Sequence, residues 1–226
     1  LGAVQGKVLN ADGSVIYDWF AQWGITEPTE IDFALDTPET EVELKCRALI
    51  RQMHSKAAGA WTKGTKVIGL AGDSFFDKLT AHKSVKSTFL NTAQAQALNR
   101  SFGAAEAAPF DAGNYATFDF GGILFINYRG VDDYDPEATP GTREALGIKP
   151  TKCKFFPMGA RNVFQKAFAP GESFDVVNTI GRPLYSMLIK DQSSRNAWVR
   201  PEVYSYPLFM CTRPEMLLTA KESASG

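Results

Sequence analysis

Apolar and polar positions divide the chain into a first half patterned for helices and a second half patterned for strands. Residues 7–17, KVLNADGSVIY, read as a hairpin. Asp12-Gly13 is its turn, and Val8, Leu9, Val15 and Ile16 supply the strands. Ile31 to Leu35 is a further strand candidate. Asp36 or Thr37 can then cap a helix with Pro38 in its first turn, running to about Ala58. Val42, Cys46, Leu49, Ile50, Met53 and Ala57 recur at spacings of three and four, which predicts one buried face. Gly59 and the following WTKGT end that helix. Lys66 to Leu70, KVIGL, reads as a short strand. Asp73 to Leu79 opens a second helix, and a third runs from about Val85 to Arg100.

Residues 103–114 are rich in Gly, Ala and Pro and read as a loop. Thr117 to Phe120 and Ile123 to Tyr128 are strands about Gly121-Gly122. Residues 131–147 form an acidic exposed loop carrying Asp132, Asp133, Asp135 and Glu137. Lys152 to Phe156 is a strand, on which Lys149, Lys152 and Lys154 would make a wet face. Val176 to Asn178, Tyr185 to Lys190, Trp198 to Pro207 and Leu208 to Met210 read as extended. Met216 to Thr219 closes the ordered chain, and 221–226 is expected as a disordered tail. The class is α+β.

Composition narrows the chemistry. The 226 residues hold 24 Lys+Arg against 25 Asp+Glu, for a net charge of -1. A dedicated nucleic-acid binder needs a basic excess to neutralise phosphates. Only two histidines and three cysteines are present. Cys46, Cys153 and Cys211 are far apart and odd in number, which predicts neither a disulfide framework nor a structural zinc site. Nothing in the residues calls for a metal or cofactor. Asp132-Asp133-Tyr134-Asp135 lacks the spacing and terminal Glu of a calcium loop. No apolar run reaches the roughly 20 residues that span a bilayer, and the first ten residues do not form a signal peptide. The chain begins with Leu1 rather than Met, so we read it as part of a longer protein.

One motif points to an enzyme. VIGLAGDSFF, residues 67–76, carries a strand into Gly72-Asp73-Ser74 and a helix, and resembles the first block of GDS-type serine esterases. A nucleophilic serine needs a histidine base held by an acid. In that family the base lies in a C-terminal Asp-x-x-His, but here no histidine follows His82. The competing reading is a helix start, with Asp73 or Ser74 as the cap and Asp77 in the first turn. His54 and His82 are then ordinary helix residues.

Longer signatures lie further along. FGGILFINYRG (120–130), FFPMG (155–159), FAP (168–170), VNTIGRPLY (177–185) and EVYSYPLFMCTRPE (202–215) occur in that order. In order and spacing they resemble the lambda-type major capsid protein E family of tailed phages. Gly72 to Asp77, with His82 and Val85 after it, resembles the family's first-half helix. The resemblance implies the tailed-phage capsid fold: an axial domain with a central sheet and flanking helices, and a peripheral domain with a β-layer. Residues 1–35 and 185–220 would belong to the peripheral β-layer, and 36–184 to the axial domain. Nothing here matches the family's N-terminal arm, extended loop or spine helix. The implied role is a head-shell subunit in the virion, made in the bacterial host cytoplasm. Its partners would be further copies of itself, scaffolding and decoration proteins, and packaged DNA held non-specifically, with no membrane. The loop carrying Asp132, Asp133, Asp135 and Glu137 would be a subunit contact. Without the arm and extended loop, this chain alone is expected to form no shells.

Overall fold

In the computed structural model, residues 2–10, 14–90, 116–128, 147–190 and 197–223 are described. The chain forms two compact units, residues 1–163 with 211–226 and residues 164–210. The larger unit opens with the short helix α1 (Gly2–Gln5) and the antiparallel pair β1 (Lys7–Leu9) and β2 (Val15–Asp18). This is the hairpin expected from 7–17, although residues 11–13 of its turn lie outside the described residues. Asp18 then caps α2 (Trp19–Gln22), its carboxylate accepting the N–H groups of Phe20 and Ala21.

A six-stranded mixed sheet forms the centre of this unit. Its strands are β3 (Ile31–Asp32), β4 (Lys66–Ala71), β5 (Thr117–Phe120), β6 (Ile123–Asn127), β7 (Lys152–Met158) and β12 (Leu218–Lys221). Their order is β3-β12-β7-β4-β6-β5. β4 runs parallel to β6 and antiparallel to β7, and β12 runs antiparallel to β7 and parallel to β3. Both residues of the β5–β6 turn, Gly121 and Gly122, have positive φ, of 60° and 81°. That backbone matches the twist of a tight hairpin and favours glycine. A Cβ on Gly121 would also stand 2.7 Å from that of Cys46, so a helix packs directly on the turn.

That helix is α3 (Val42–Ser55), shorter at its start than expected. Residues 37–40 instead make local turns, with Thr37 and Thr40 donating their N–H groups to the carbonyls of Ala34 and Thr37. The cap expected at Asp36 or Thr37 is therefore displaced to Glu41, which makes no side-chain cap bond. The apolar stripe holds: Val42, Cys46, Leu49 and Met53 are buried. Burying Val42, Leu49 and Met53 contributes about 1.5–3 kcal/mol each. Beneath lies a phenylalanine cluster. Phe33 stacks on Phe155 at 5.9 Å and meets Phe75 edge-on at 5.5 Å, and Phe125 meets Phe155 edge-on at 5.9 Å.

α4 (Asp73–Ala81) and α5 (Lys83–Leu90) follow β4. The expected third helix is present to Leu90, and its continuation to Arg100 lies outside the described residues, as does the 103–114 loop. Two expectations change. Lys152 and Lys154 are half-buried rather than a wet face. Burial pulls the Lys154 amine below the usual lysine range. The tail expected from residue 221 is not open at its start. Lys221 pairs with Lys152 and Asp32 in the sheet, and Glu222 and Ser223 are buried. Both ends of the chain enter the sheet, since β3 and β12 hydrogen-bond with the strands built by residues 66–158.

The smaller unit holds two antiparallel ribbons. One pairs β8 (Phe164–Phe168) with β11 (Pro207–Cys211), and the other pairs β9 (Tyr185–Lys190) with β10 (Val199–Tyr204). β8 is a strand the periodicity did not show. Val176 to Asn178, expected as extended, lie in a turn. There the Ser173 carbonyl accepts the N–H groups of Val176 and Val177, so local bonds replace a neighbouring strand.

Candidate subunit-contact surface

The esterase motif is used structurally. Gly72 caps α4 by position, without a side-chain bond, so neither Asp73 nor Ser74 is the cap. The Ser74 hydroxyl donates to Glu222 Oε2 at 2.8 Å, and Lys78 Nζ donates to Glu222 Oε1 at 2.7 Å. His82 is buried, and its ring is committed elsewhere. Its Nδ1 accepts the Ser84 N–H at 3.2 Å, so Nε2 carries the proton and donates to the Thr37 carbonyl at 3.0 Å. No nucleophile–base pair is assembled between Ser74 and His82. The other histidine, His54, is a helix residue that meets the Trp61 ring edge-on at 5.3 Å.

The thiols are equally inert. All three are buried. Burial pushes Cys46 up to about 12 and Cys211 up to about 11, and raises Cys153 well above its ordinary value. A thiol kept protonated is neither a nucleophile nor a ready metal ligand. Among the described residues, no group of three His, Cys, Asp or Glu side chains is arranged to hold a metal. Asp132, Asp133, Asp135 and Glu137 lie outside the described residues.

What the structure offers is surface, concentrated in the smaller unit. The β9–β10 register pairs Ser186 with Val203, Leu188 with Pro201 and Lys190 with Val199. Directly opposed residues share a face. One face of the ribbon is therefore Leu188, Val199, Pro201 and Val203, with Lys190 at its end. Leu188 is 68% exposed, Val203 61% and Val199 55%. The opposite face, from Tyr185, Met187 and Tyr204, lines a cleft of about 260 Å³ with Gly171, Glu172, Ser173, Val176 and Tyr206. Tyr204 stacks on Tyr206 at 6.5 Å. The Tyr185 hydroxyl accepts the Arg182 N–H and donates to the Ala169 carbonyl, fixing one wall. A two-stranded ribbon with an open apolar face is marginal alone and gains from being covered. The sequence showed strands here but not which residues face outward, because apolar residues fall on both sides of β9.

The phage major capsid protein E family model matches residues 1–222. The chain belongs to the phage major capsid protein E family. The major capsid protein of Salmonella phage Felix O1 (isolate Felix O1-VT1) is 26% identical over 234 residues, covering 99% of this chain and 63% of that protein. The major capsid protein of Pseudomonas phage KPP10 is 31% identical over 175 residues, covering 77% of this chain and 47% of that protein. The chain thus spans between about half and two thirds of the length of these relatives. The family match runs through both compact units, so the exposed ribbon lies within the capsid protein E region. It also takes in Gly72 to Asp77, which makes the esterase-like block a stretch of capsid protein E sequence. Among the described residues no helix is long and apolar enough to cross a membrane.

Proposed function

We propose that this chain is the greater part of a head-shell subunit of a tailed phage or prophage, which assembles with copies of itself into an icosahedral shell around DNA. The match of the capsid protein E family to residues 1–222 carries the reading. The smaller unit supports it, because its apolar ribbon face needs a covering partner. The role is structural and not enzymatic. The near-zero net charge suits walls that pack against one another without strong repulsion.

Within the tailed-phage capsid fold, the six-stranded sheet and its helices suit the axial domain. The ribbons of residues 164–210, which take in most of 185–220, suit the peripheral β-layer. The loop with Asp132, Asp133, Asp135 and Glu137 is a proposed second contact. Scaffolding and decoration proteins, DNA held non-specifically, location in the virion and synthesis in the host cytoplasm follow from the same reading. The test is expression of the whole head protein carrying this chain, followed by negative-stain electron microscopy. Closed shells are expected. Soluble protein that forms no particles, alone or with its phage's assembly proteins, would overturn the reading.

A further inference from the structure

Phe174 is 101% exposed, so its whole ring stands in solvent. It follows Ser173, the carbonyl of which anchors the turn through Val176 and Val177, so the ring is carried on an internally bonded turn. Ile180, 91% exposed, lies just beyond that turn. An aromatic side chain held out from a surface is the type of anchor that dominates protein contacts, provided a pocket receives it.

The same unit carries such a pocket. The cleft walled by Val176, Tyr185, Met187, Tyr204 and Tyr206 has about 260 Å³. A closed apolar cavity of about 150 Å³ takes benzene, so there is room for a phenylalanine ring. The aromatic walls favour an offset or edge-on ring, and the Met187 thioether favours a ring at contact distance. Among the described residues no lysine or arginine lines the cleft, which argues against a phosphate or nucleic acid as its occupant. Glu172, the carboxylate among its described lining residues, lies beside Tyr206. We propose that the Phe174 ring of one copy inserts into the Tyr185–Met187–Tyr204–Tyr206 cleft of a second copy.

The proposal rests on the head-shell reading and assigns it one contact. A single ring in a cleft buries less than the about 800 Å² per partner of a standard stable interface. That points to a weak contact repeated among many identical copies, which multivalency strengthens, rather than to a tight partner of another kind.

Photo-crosslinking tests it. p-Benzoylphenylalanine replaces Phe174 in the chain, and ¹⁵N-labelled and unlabelled copies are mixed, irradiated and mapped by mass spectrometry. The expected result is mixed-isotope crosslinks from position 174 to residues 185–187 or 204–206 of another copy. Met187→Arg, which fills the cleft with charge, is expected to cut that yield about fivefold or more. A second sample carries the photo-probe at Leu188. Inter-copy crosslinks from 188 but not from 174 would overturn this proposal and leave the shell contact intact, as would crosslinks from 174 only within one chain. No inter-copy crosslink from either position would count against both.

Discussion

Burial of single groups sets a measurable property of this fold at high pH. Unperturbed thiols ionise near 9.0, whereas Cys46 holds its proton to about 12 and Cys211 to about 11 in the fold. Cys153 is raised as well, chiefly by burial. Above pH 9 the folded chain therefore binds more protons than the unfolded chain, and stability falls as pH rises. The thiol contribution is complete below that pH and is lost through about 11 to 12. Lys154 works the other way: its lowered amine pKa makes stability rise with pH up to its ordinary value of 10.5. Three thiols outweigh one amine. Urea midpoints measured between about pH 8.5 and 10.5 are expected to fall, by about 1 kcal/mol per thiol for each unit above 9. Cys46→Ala should make that fall shallower, and an unchanged slope would contradict the assignment. Cysteine scarcity was visible in the sequence, but the depth of each thiol was not.

At the scale of elements, the end of the described chain acts as a clasp. The Glu222 N–H donates to the Thr151 carbonyl, and its own carbonyl accepts the Leu35 N–H. Its side chain, 7% exposed, receives Ser74 and Lys78 from α4. One residue thus joins β7, the β3 segment and α4. A carboxylate this buried depends on its donors. Glu222→Ala removes the acceptor for both and is expected to lower the unfolding free energy by about 2–3 kcal/mol in denaturant titration. Ser74→Ala leaves Glu222 with Lys78 and should cost about 1 kcal/mol. Equal losses would show that the clasp does not work through Glu222. Residues 221–226 are small and polar enough to read as a tail, and nothing local marks Glu222 as buried. The pairing of β1 with β2, the Gly121-Gly122 hairpin and the α3 stripe were legible, because strand patterning, turn chemistry and a 3.6-residue period are local signals.

For the whole molecule, the contrast is between a unit with a phenylalanine core and one with little core of its own. Leu188, Val199, Pro201 and Val203 make an exposed apolar patch on one face of the ribbon, and contiguous apolar surface of this kind tends to be functional. Leu188→Asp replaces an exposed side chain, so its effect on folding should stay within about 0.5 kcal/mol. In the whole head protein it is expected to abolish or sharply reduce shells while circular dichroism stays unchanged. Normal particles would remove the ribbon face from the proposed assembly surface. That residues 185–220 belong to an outer β-layer is what the family resemblance implies, and it remains part of the proposed reading. β8 was not legible as a strand, because it carries no clear alternation.

The sequence by itself determined the α+β class, most strand and helix centres, and the capsid family through ordered blocks from Phe120 to Glu215. Each of these is written in neighbouring residues or in the spacing of motifs. Only the tertiary structure decided the strand order, the pairing of Ile31 with Ala220, the use of Ser74 as a donor to Glu222, and which ribbon face stays uncovered. These depend on contacts between residues far apart in the chain. Hydrogen bonds and burial across such distances leave no period or motif behind. They appear only when the chain has closed on itself.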